Sequence, residues 1–158
     1  MNAGARFSRC RRFRYALWRE WDAGLPKVMM IGLNPSTADA KKNDPTIRRC
    51  VGFARDWGFG GVWVLNLFAF RATYPGDLKA AVDPVGPRND EWIRRVARDV
   101  KRAVAVWGND GTFLDRSMQV RGMLGDGLEV IRLNAGGEPA HPLYLPKGLK
   151  PTSWPQDS

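Results

Sequence analysis

Hydrophobic and polar positions follow two patterns along this chain, and each pattern predicts a different kind of strand. Residues 11–20 alternate with period two, because Phe13, Tyr15 and Leu17 are apolar and Arg12 and Arg14 lie between them. Such alternation is typical of a half-buried strand. Short unbroken apolar runs predict strands that are covered on both faces. These runs are 28–31, 62–67 (interrupted by one amide), 103–106 and 128–131.

Helical spacing of apolar residues fills the intervals between these runs. Asp44 and Pro45 form a good N-cap and first helical position, and the helix that they begin is expected to end in the glycine-rich segment 58–61. The clearest helix is predicted at 91–102, and a poorer one at 113–124. Between them, 71–87 is predicted as a long loop rich in Pro and Gly, a type of loop that is often functional.

The order of these elements is a strand followed by β-α-β-α-β-α-β, which predicts an α/β fold. We expect three layers, α/β/α, with a mostly parallel central sheet of about four strands and right-handed crossovers. The strand at 11–20 is expected at the edge, antiparallel to 28–31, with arginines that protect this edge or meet phosphates. We predict a flexible basic N-terminus at 1–10, one domain at 11–145 and a loosely ordered tail at 146–158.

Composition narrows the classes of protein. The chain has 158 residues and a formal net charge of +9, from 25 Lys and Arg against 16 Asp and Glu. This charge favours a polyanionic partner, most simply nucleic acid, although arginine-rich bacterial proteins are often basic for compositional reasons. No apolar run is long enough to span a membrane, and Cys10 and Cys50 are too few for a four-cysteine metal site. We therefore expect a cytoplasmic monomer without metal or cofactor.

Polar residues stand where the predicted parallel strands end. Asn34 follows the first apolar run, Asn66 ends the second and the Trp107-Gly108 pair follows the third, while His141 comes after the fourth. In open α/β sheets ligands bind outside these carboxyl ends, so the four positions are expected to converge on one crevice. Simpler interpretations also fit. Asn34 or Ser36 could cap a helix, Asn66 could satisfy loop backbone, and His141 could be a loop residue bonded to backbone.

Four segments of the chain resemble a known family. GLNPSTAD, VWVLNLFAFRA, AVWG and HPLYL are similar to signatures of an uncharacterised family of bacterial and phage proteins, a domain of unknown function, over residues 11–145. That resemblance implies no activity.

The same segments, in the same order, resemble more distantly the motifs of the uracil-DNA glycosylase superfamily. GLNPS is similar to the first catalytic motif, most closely the GINPG form of the mismatch-specific branch. VLNLFAFRA is similar to the strand end that reads the base, AVWG to the LLWG strand and HPLYL to the HPSPL motif. The resemblance implies a glycosylase-like α/β/α fold.

The resemblance also implies roles for individual residues. Asn34 would hold the attacking water through its side-chain oxygen, and a neutral His141 would stabilise the departing base anion. Asn66 would read the pairing edge of a flipped base. Leu143, Tyr144 and Leu145 would form a wedge in the base stack, or else simply fix the C-terminal segment to the core. The expected base-binding residues are Asn66, Leu33, Ser36 and Phe68, although aromatic residues such as Phe68 and Phe70 are more often core. The expected DNA contacts are Thr37, Arg71, Pro142, Leu143, Tyr144 and Lys147.

Three features depart from the family pattern. The common uracil-specific branch has a Tyr after the Pro of the first motif, which excludes a methyl group at C5 of the base, whereas this chain has Ser36. We hypothesise a wider pocket that accepts 5-substituted bases. The HPLYL segment lacks the Ser of HPSPL, and the four cysteines of the iron–sulfur branches are missing.

We therefore expect a DNA-binding monofunctional N-glycosidase acting on a modified or mismatched base. One alternative is an enzyme of the same fold that hydrolyses free nucleosides or nucleotides. In that case Ser36 and Thr37 would bind phosphate or sugar, and binding would depend little on salt. The other alternative is a catalytically inactive nucleic-acid-binding module, for which tight, salt-sensitive binding without base release would be expected.

Overall fold

The computed structural model describes residues 2–155, so Met1 of the predicted flexible N-terminus and 156–158 of the predicted tail lie outside it. The described chain forms a mixed α/β structure with one seven-stranded sheet and four α-helices. The strands are β1 Asn2–Phe7, β2 Arg14–Glu20, β3 Lys27–Gly32, β4 Gly61–Asn66, β5 Ala103–Ala105, β6 Leu128–Val130 and β7 Thr152–Ser153. The helices are α1 Pro45–Asp56, α2 Pro75–Ala80, α3 Asn89–Val100 and α4 Arg116–Leu124.

The sheet has the strand order β1-β2-β4-β3-β5-β6-β7. Its centre is parallel, because β3 pairs in parallel with both β4 and β5, and β5 pairs in parallel with β6. The antiparallel strands β1, β2 and β7 extend the two sides. From β3 the chain moves to β4 on one side and then returns past β3 to β5. The direction of winding therefore reverses between β3 and β5, which is the kind of point where open α/β sheets bind ligands.

Helix α1 begins where its capping residues predict. Asp44 Oδ1 accepts a hydrogen bond of 2.9 Å from the backbone N–H of Ile47, and Pro45 is the first helical residue. This confirms the predicted start. Helix α3 is also confirmed with shifted bounds, because Lys101 adopts a left-handed φ of 65° and ends it there.

The predicted antiparallel pairing of the 11–20 strand with 28–31 is wrong. Strand β2 pairs instead with β4, and it is not at the edge because β1 covers its other side. The backbone N–H groups of Trp21 and Asp22 donate to the Gly60 carbonyl at 2.9 and 3.0 Å, so the turn after β2 crosses the start of β4. A Cβ on Gly60 would lie 2.0 Å from the Asp22 carbonyl oxygen, so only glycine fits this crossing.

The arginines of β2 do not protect an edge, because β2 lies between β1 and β4 in the sheet. Arg14 is 2% exposed and Arg19 is 1% exposed. The Arg19 guanidinium donates to Asn43 Oδ1 at 2.9 Å and to the backbone carbonyls of Asp39 and Lys42 at 2.8 and 3.2 Å. Because these bonds lie in the loop between β3 and α1, Arg19 fixes the path of that loop.

Three predicted irregular segments contain regular structure. Strand β1 lies in the predicted flexible terminus 1–10, and β7 lies in the predicted loose tail 146–158 and pairs with β6. Helix α2 lies inside the predicted loop 71–87. It is only six residues long and its sequence contains Pro and Gly, which explains why its pattern was too weak to predict.

Each face of the sheet carries its own hydrophobic core. Met29 and Ile31 of β3 pack in one cluster with Ile93 of α3 and Val120 of α4. The alternate residues of β3 pack on the other face in a second cluster, whose members include Val28, Met30, Ile47 and Phe53. The buried strands therefore have helices against both faces, as their unbroken apolar runs predicted. No helix within 2–155 has the length and apolar character required to cross a bilayer.

Candidate active site at the carboxyl ends of β3, β4 and β5

A crevice of about 640 Å³ opens where the winding of the sheet reverses. Leu33 and Asn34 line it after β3, and Trp107 and Gly108 line it after β5. His141, from the segment after β6, also lines it. The volume is in the range of sites that bind small molecules or single substrate groups. The predicted convergence of the β3 and β5 ends with His141 is therefore found.

A smaller chamber of about 100 Å³ continues from the crevice toward the sheet. The two spaces share their boundary, since the same five residues line both: Leu33, Asn34, Ser36, Thr46 and His141. Deeper in the chamber the lining residues are Arg14, Asp44, Cys50, Asn66 and Val106, among others. We call this space the inner chamber. It has room for a few water molecules or the edge of one small ring.

Asn34 presents its side-chain oxygen and not its amide nitrogen to the crevice. Its Nδ2 donates to the carbonyl oxygens of Pro35 at 3.0 Å and Ala72 at 2.7 Å. These two bonds use both amide hydrogens and leave Oδ1 without a donor among residues 2–155. Asn34 caps no helix, because α1 begins later and is capped by Asp44. The site therefore offers a fixed hydrogen-bond acceptor.

His141 is held in one tautomer. Its Nδ1 accepts a hydrogen bond of 3.2 Å from the backbone N–H of Leu143, so the neutral ring carries its proton on Nε2. Burial lowers the pKa of His141 below its ordinary value of 6.5, although the Asp44 carboxylate acts in the opposite direction. At neutral pH the ring is therefore uncharged and can donate one N–H. The hydrogen bond to backbone that we expected for a simple loop histidine is therefore present. The His141 ring nevertheless lines both the crevice and the inner chamber.

Asn66 ends β4 in the wall of the inner chamber and is 3% exposed. Its Nδ2 is buried and has no hydrogen-bond partner among the described residues. A Cβ on Gly32 would lie 2.8 Å from Asn66 Oδ1, so the glycine of the GLNPS segment makes room for this amide. The interpretation that Asn66 satisfies loop backbone finds no support, since its side chain donates to none.

Two buried side chains hold the backbone at the end of β4. Asn89 Nδ2 donates to the carbonyl oxygens of Asn66 and Leu67 at 2.9 and 3.0 Å. The Arg116 guanidinium donates twice to the Leu67 carbonyl, at 3.0 and 2.9 Å, and forms an ion pair of 2.8 Å with Asp90. Helices α3 and α4 therefore fix the strand end that carries the Asn66 amide.

The inner chamber contains charge with little access to solvent. Burial lowers the pKa of Arg14 to about 10, although the Asp44 carboxylate raises it, so the guanidinium remains charged at neutral pH. Burial also raises the pKa of the Cys50 thiol to about 12, and Asp44 adds to that shift. Cys50 is therefore a protonated thiol with no nucleophilic character at neutral pH. Within residues 2–155, no three His, Cys, Asp or Glu side chains are grouped to hold a metal ion.

The other residues predicted at the base divide between the site and the core. Leu33 and Ser36 line both the crevice and the inner chamber. Phe68 does not, because its side chain is fully buried in a hydrophobic core with its ring 5.5 Å from that of Phe113. The predicted stacking of Phe68 on a base is therefore corrected, and it follows the commoner pattern of a core aromatic.

The residues predicted to contact DNA are also divided. Leu143 and Tyr144 are exposed and line the crevice, as a wedge requires, whereas Leu145 and Pro142 are buried. Lys147 lines a neighbouring groove of about 450 Å³ that Leu143 also lines. Thr37 is exposed outside the residues that line the crevice.

Arg71 lies away from the crevice. Its guanidinium donates to the backbone carbonyl of Arg11 at 3.2 Å and stacks 5.0 Å from the centre of the Phe7 ring. These contacts hold it against the N-terminal segment, so the structure does not bring Arg71 to the site.

Sequence reasoning missed Arg14, Thr46 and Asn134 as lining residues. Arg14 stands at a polar position of an alternating strand, a pattern that normally predicts exposure. No local signal shows that Arg14 is buried, because the loop residue Ala38 that it contacts and the neighbouring strand β4 are distant from β2 in sequence. For Thr46 the sequence offers one local sign that it could face the crevice, which is its position directly after the predicted helix start.

The fold and the site define a mixed α/β protein with a polar crevice at the carboxyl ends of its parallel strands. A family model described as "Protein of unknown function (DUF1643)" matches residues 14–143. The chain belongs to this family, as the GLNPSTAD and HPLYL segments predicted. Neither the curated proteins nor the solved structures include a match to the chain.

Proposed function

We propose that this chain is a DNA-binding monofunctional N-glycosidase that removes a modified or mismatched base, with no metal or organic cofactor. Its three layers would then be those of a uracil-DNA-glycosylase-like fold, a proposal supported by the helices packed against both faces of the sheet. The observation that carries the proposal is the pairing, in one crevice, of a fixed acceptor on Asn34 with a neutral N–H donor on His141.

The chemistry of the N-glycosidic bond requires this pair. As the bond breaks, positive charge develops on the sugar and negative charge on the departing base. Asn34 Oδ1 would accept a hydrogen bond from the attacking water and orient it toward the sugar carbon. An amide is a poor base, so the reaction should be slow and the proton should leave through solvent.

His141 would stabilise the base as it departs. A neutral imidazole donates its Nε2–H to the developing oxyanion, and the fixed tautomer keeps this proton in place before the reaction begins. Asn66 would bind the base edge through its unpartnered Nδ2, which is otherwise a costly buried donor. Asn34 would then hold the water, Asn66 would bind the base edge and His141 would stabilise the negative charge that develops on the base.

Charge and exposed apolar side chains support DNA as the carrier of that base. The net charge of +9 favours a polyanion. Leu143 is 45% exposed and Tyr144 is 84% exposed at the edge of the crevice, where a side chain could fill the gap left by an extruded nucleotide. Arg48 and Lys147 line the adjacent groove and could contact phosphates.

The size of the crevice favours one other candidate. At about 640 Å³ it could also hold a whole free nucleoside or nucleotide. Such an enzyme would keep the roles of Asn34 and His141 but would release bases from nucleosides without DNA. Its binding would change little with salt, whereas binding to several DNA phosphates weakens steeply as salt rises.

The proposal is tested with labelled oligonucleotides. Single- and double-stranded DNAs carrying uracil, thymine mismatches or 5-substituted pyrimidines are incubated with the protein and then cleaved with alkali at abasic sites. We expect strand scission with at least one modified base, lost in Asn34→Ala and His141→Ala. Gln119→Ala is the matched control, because Gln119 lies outside the crevice and its amide oxygen only accepts from Arg116 at 3.1 Å. Scission that is equal in all four proteins would contradict the proposal.

A further inference from the structure

The inner chamber contains a second unsatisfied donor that the glycosidase mechanism does not use. Arg14 Nε is buried and has no hydrogen-bond partner among the described residues. Of the guanidinium nitrogens, Nη1 donates to the Ala38 carbonyl oxygen at 3.2 Å. The nearby Asp44 carboxylate is already engaged, because its two oxygens accept from the backbone N–H groups of Ala38 and Ile47 at 3.3 and 2.9 Å. Arg14 is therefore a buried cation with one N–H group that has no acceptor among the described residues.

The other buried arginines, Arg19 and Arg116, have no such unpaired donor. All hydrogen-bonding guanidinium nitrogens of Arg19 and Arg116 have carbonyl or side-chain acceptors, and none is among the buried atoms without a partner. An unpaired buried donor lowers the stability of the fold unless a bound group satisfies it. The position of Arg14 in the wall of a cavity, and not in a closed core, points to a bound group.

The walls restrict what this group can be. Asn66 supplies one donor through Nδ2 and Arg14 supplies another through Nε, and both line the same chamber of about 100 Å³. The remaining surface includes the apolar side chains of Ile47, Val64 and Val106. A small, flat group with two acceptor atoms fits these donors and walls. The Asp44 carboxylate also lines the chamber, but its two oxygens already accept from the backbone N–H groups of Ala38 and Ile47. Charge-assisted hydrogen bonds are the stronger kind, so Arg14 Nε should favour an acceptor that carries negative charge.

We propose that Arg14 makes the inner chamber selective for nucleobases whose inserted edge carries an oxygen substituent, with a carboxylate preferred over a hydroxymethyl group and a methyl group least preferred. This inference rests on the proposed function, since it takes the crevice to be a base pocket. Ser36 lines the entrance to the chamber, and its small side chain leaves space for such a substituent to pass. Arg14 acts here as a specificity residue and has no part in breaking the bond.

The test measures binding of free bases, which requires no catalysis. The full chain is titrated with uracil, thymine, 5-hydroxymethyluracil and 5-carboxyuracil, and binding is followed by calorimetry and by the Nε–H resonance of Arg14 in ¹⁵N NMR. We expect 5-carboxyuracil to bind at least tenfold more tightly than thymine and to shift the Arg14 resonance. Equal affinity for these two bases, or binding of none, would overturn the inference.

Two variants assign the preference to Arg14. Arg14→Met should bind 5-carboxyuracil no better than thymine, whereas Arg102→Met, which removes a guanidinium that pairs with Glu129 outside the chamber, should keep the tenfold preference. Thermal unfolding of each variant shows whether it is folded. If Arg14→Met does not fold, the inference is judged from the wild-type preference for 5-carboxyuracil over thymine alone. A preference that persists in folded Arg14→Met would overturn the role of Arg14. Base preference without base release from any DNA would leave this inference standing and reject the glycosidase.

Discussion

The side-chain nitrogen of Asn34 donates a hydrogen bond of 2.7 Å to the carbonyl oxygen of Ala72, 38 residues further along the chain. This bond joins the exit of β3 to the segment that follows β4. It also fixes which atom of the amide faces the crevice, because the nitrogen is held against backbone and the oxygen is left free. The proposed role of Asn34 depends on this orientation.

The first prediction concerns Asn34→Asp. A carboxylate is a better base than an amide, yet this substitution places an oxygen where Nδ2 now meets the carbonyl oxygens of Pro35 and Ala72. The repulsion should lower the free energy of unfolding by roughly 1–3 kcal/mol, and base release should be no faster than in the wild type. Denaturant unfolding at pH 7 and single-turnover kinetics measure the two effects.

Asn34→Ala is the control for that repulsion. It loses the same two hydrogen bonds but puts no oxygen against the carbonyls, so it should unfold at a higher denaturant concentration than Asn34→Asp. Wild-type stability of Asn34→Asp would mean that the amide is oriented the other way.

The second prediction concerns the pH dependence of stability. The pKa of His141 is lowered by burial, so the unfolded state binds a proton more readily than the folded state. The stabilising contribution of the neutral ring is complete above pH 6.5, where both states are unprotonated. It decreases as the pH falls below 6.5 and is lost once the pH passes the folded pKa. The free energy of unfolding should therefore fall between pH 7.5 and pH 5.

His141 is the chain's one histidine, so a variant isolates this effect. His141→Asn can still accept from the Leu143 N–H through its side-chain oxygen but does not titrate. Its stability should change less than that of the wild type over the same pH range. An equal fall in both proteins would assign the pH dependence to other groups.

The third prediction concerns Gly32→Ala. The new Cβ would lie 2.8 Å from Asn66 Oδ1, so the Asn66 amide must move. We expect binding of the base to weaken by about tenfold or more, since one well-placed hydrogen bond in a dry site is worth that much. Fluorescence anisotropy measures this loss as a lower affinity for an oligonucleotide that carries the best substrate base. The measurement is made in the Asn34→Ala background, which cannot release the base.

Gly122→Ala is the matched control. Gly122 lies within α4 with no atom within 4 Å of a Cβ placed on it, so alanine should stabilise the fold by about 0.5–1 kcal/mol and leave binding unchanged. Weakened binding in both variants would show that general disturbance, and not the Asn66 contact, is responsible.

The fourth prediction concerns the two thiols. Cys10 is exposed, and a hydrogen bond with Ser8 lowers its thiol pKa, whereas Cys50 is 1% exposed and burial raises its pKa to about 12. A thiol reagent at pH 8 should label one cysteine rapidly and the second only after unfolding. Cys10→Ser should abolish the rapid phase. Rapid labelling of Cys50 in the folded protein would show that the inner chamber opens wider than the structure indicates.

Local signals in the sequence predicted the local parts of the fold. Helix α1 begins as predicted because Asp44 and Pro45 act within one turn of the chain. The ends of β3 and β4 were visible because a polar amide interrupts or ends each apolar run. The candidate site could therefore be assembled from Asn34, Asn66 and His141 before any contact among them was known.

Contacts with other segments of the chain explain the errors. The segment 2–7 has small residues and little alternation, and Gly4 is needed only because a Cβ there would lie 2.1 Å from the Trp18 ring of the neighbouring strand. The short connection between β2 and β3 favours a hairpin, yet Gly60 lets the turn cross to β4. Arg14 and Arg19 are buried against the loop that follows β3, where they donate to the carbonyl oxygens of Ala38 and Asp39, and no pattern local to β2 could have revealed this.

The most direct test of the account compares chemistry with binding in Asn34→Ala and His141→Ala. Single-turnover rates of base release and dissociation constants are measured with the same DNA substrate. The account predicts that each substitution slows base release by roughly 100-fold or more, because a positioned water or a placed donor is lost, while DNA affinity changes only a few-fold. Base release at the wild-type rate in both variants would contradict it.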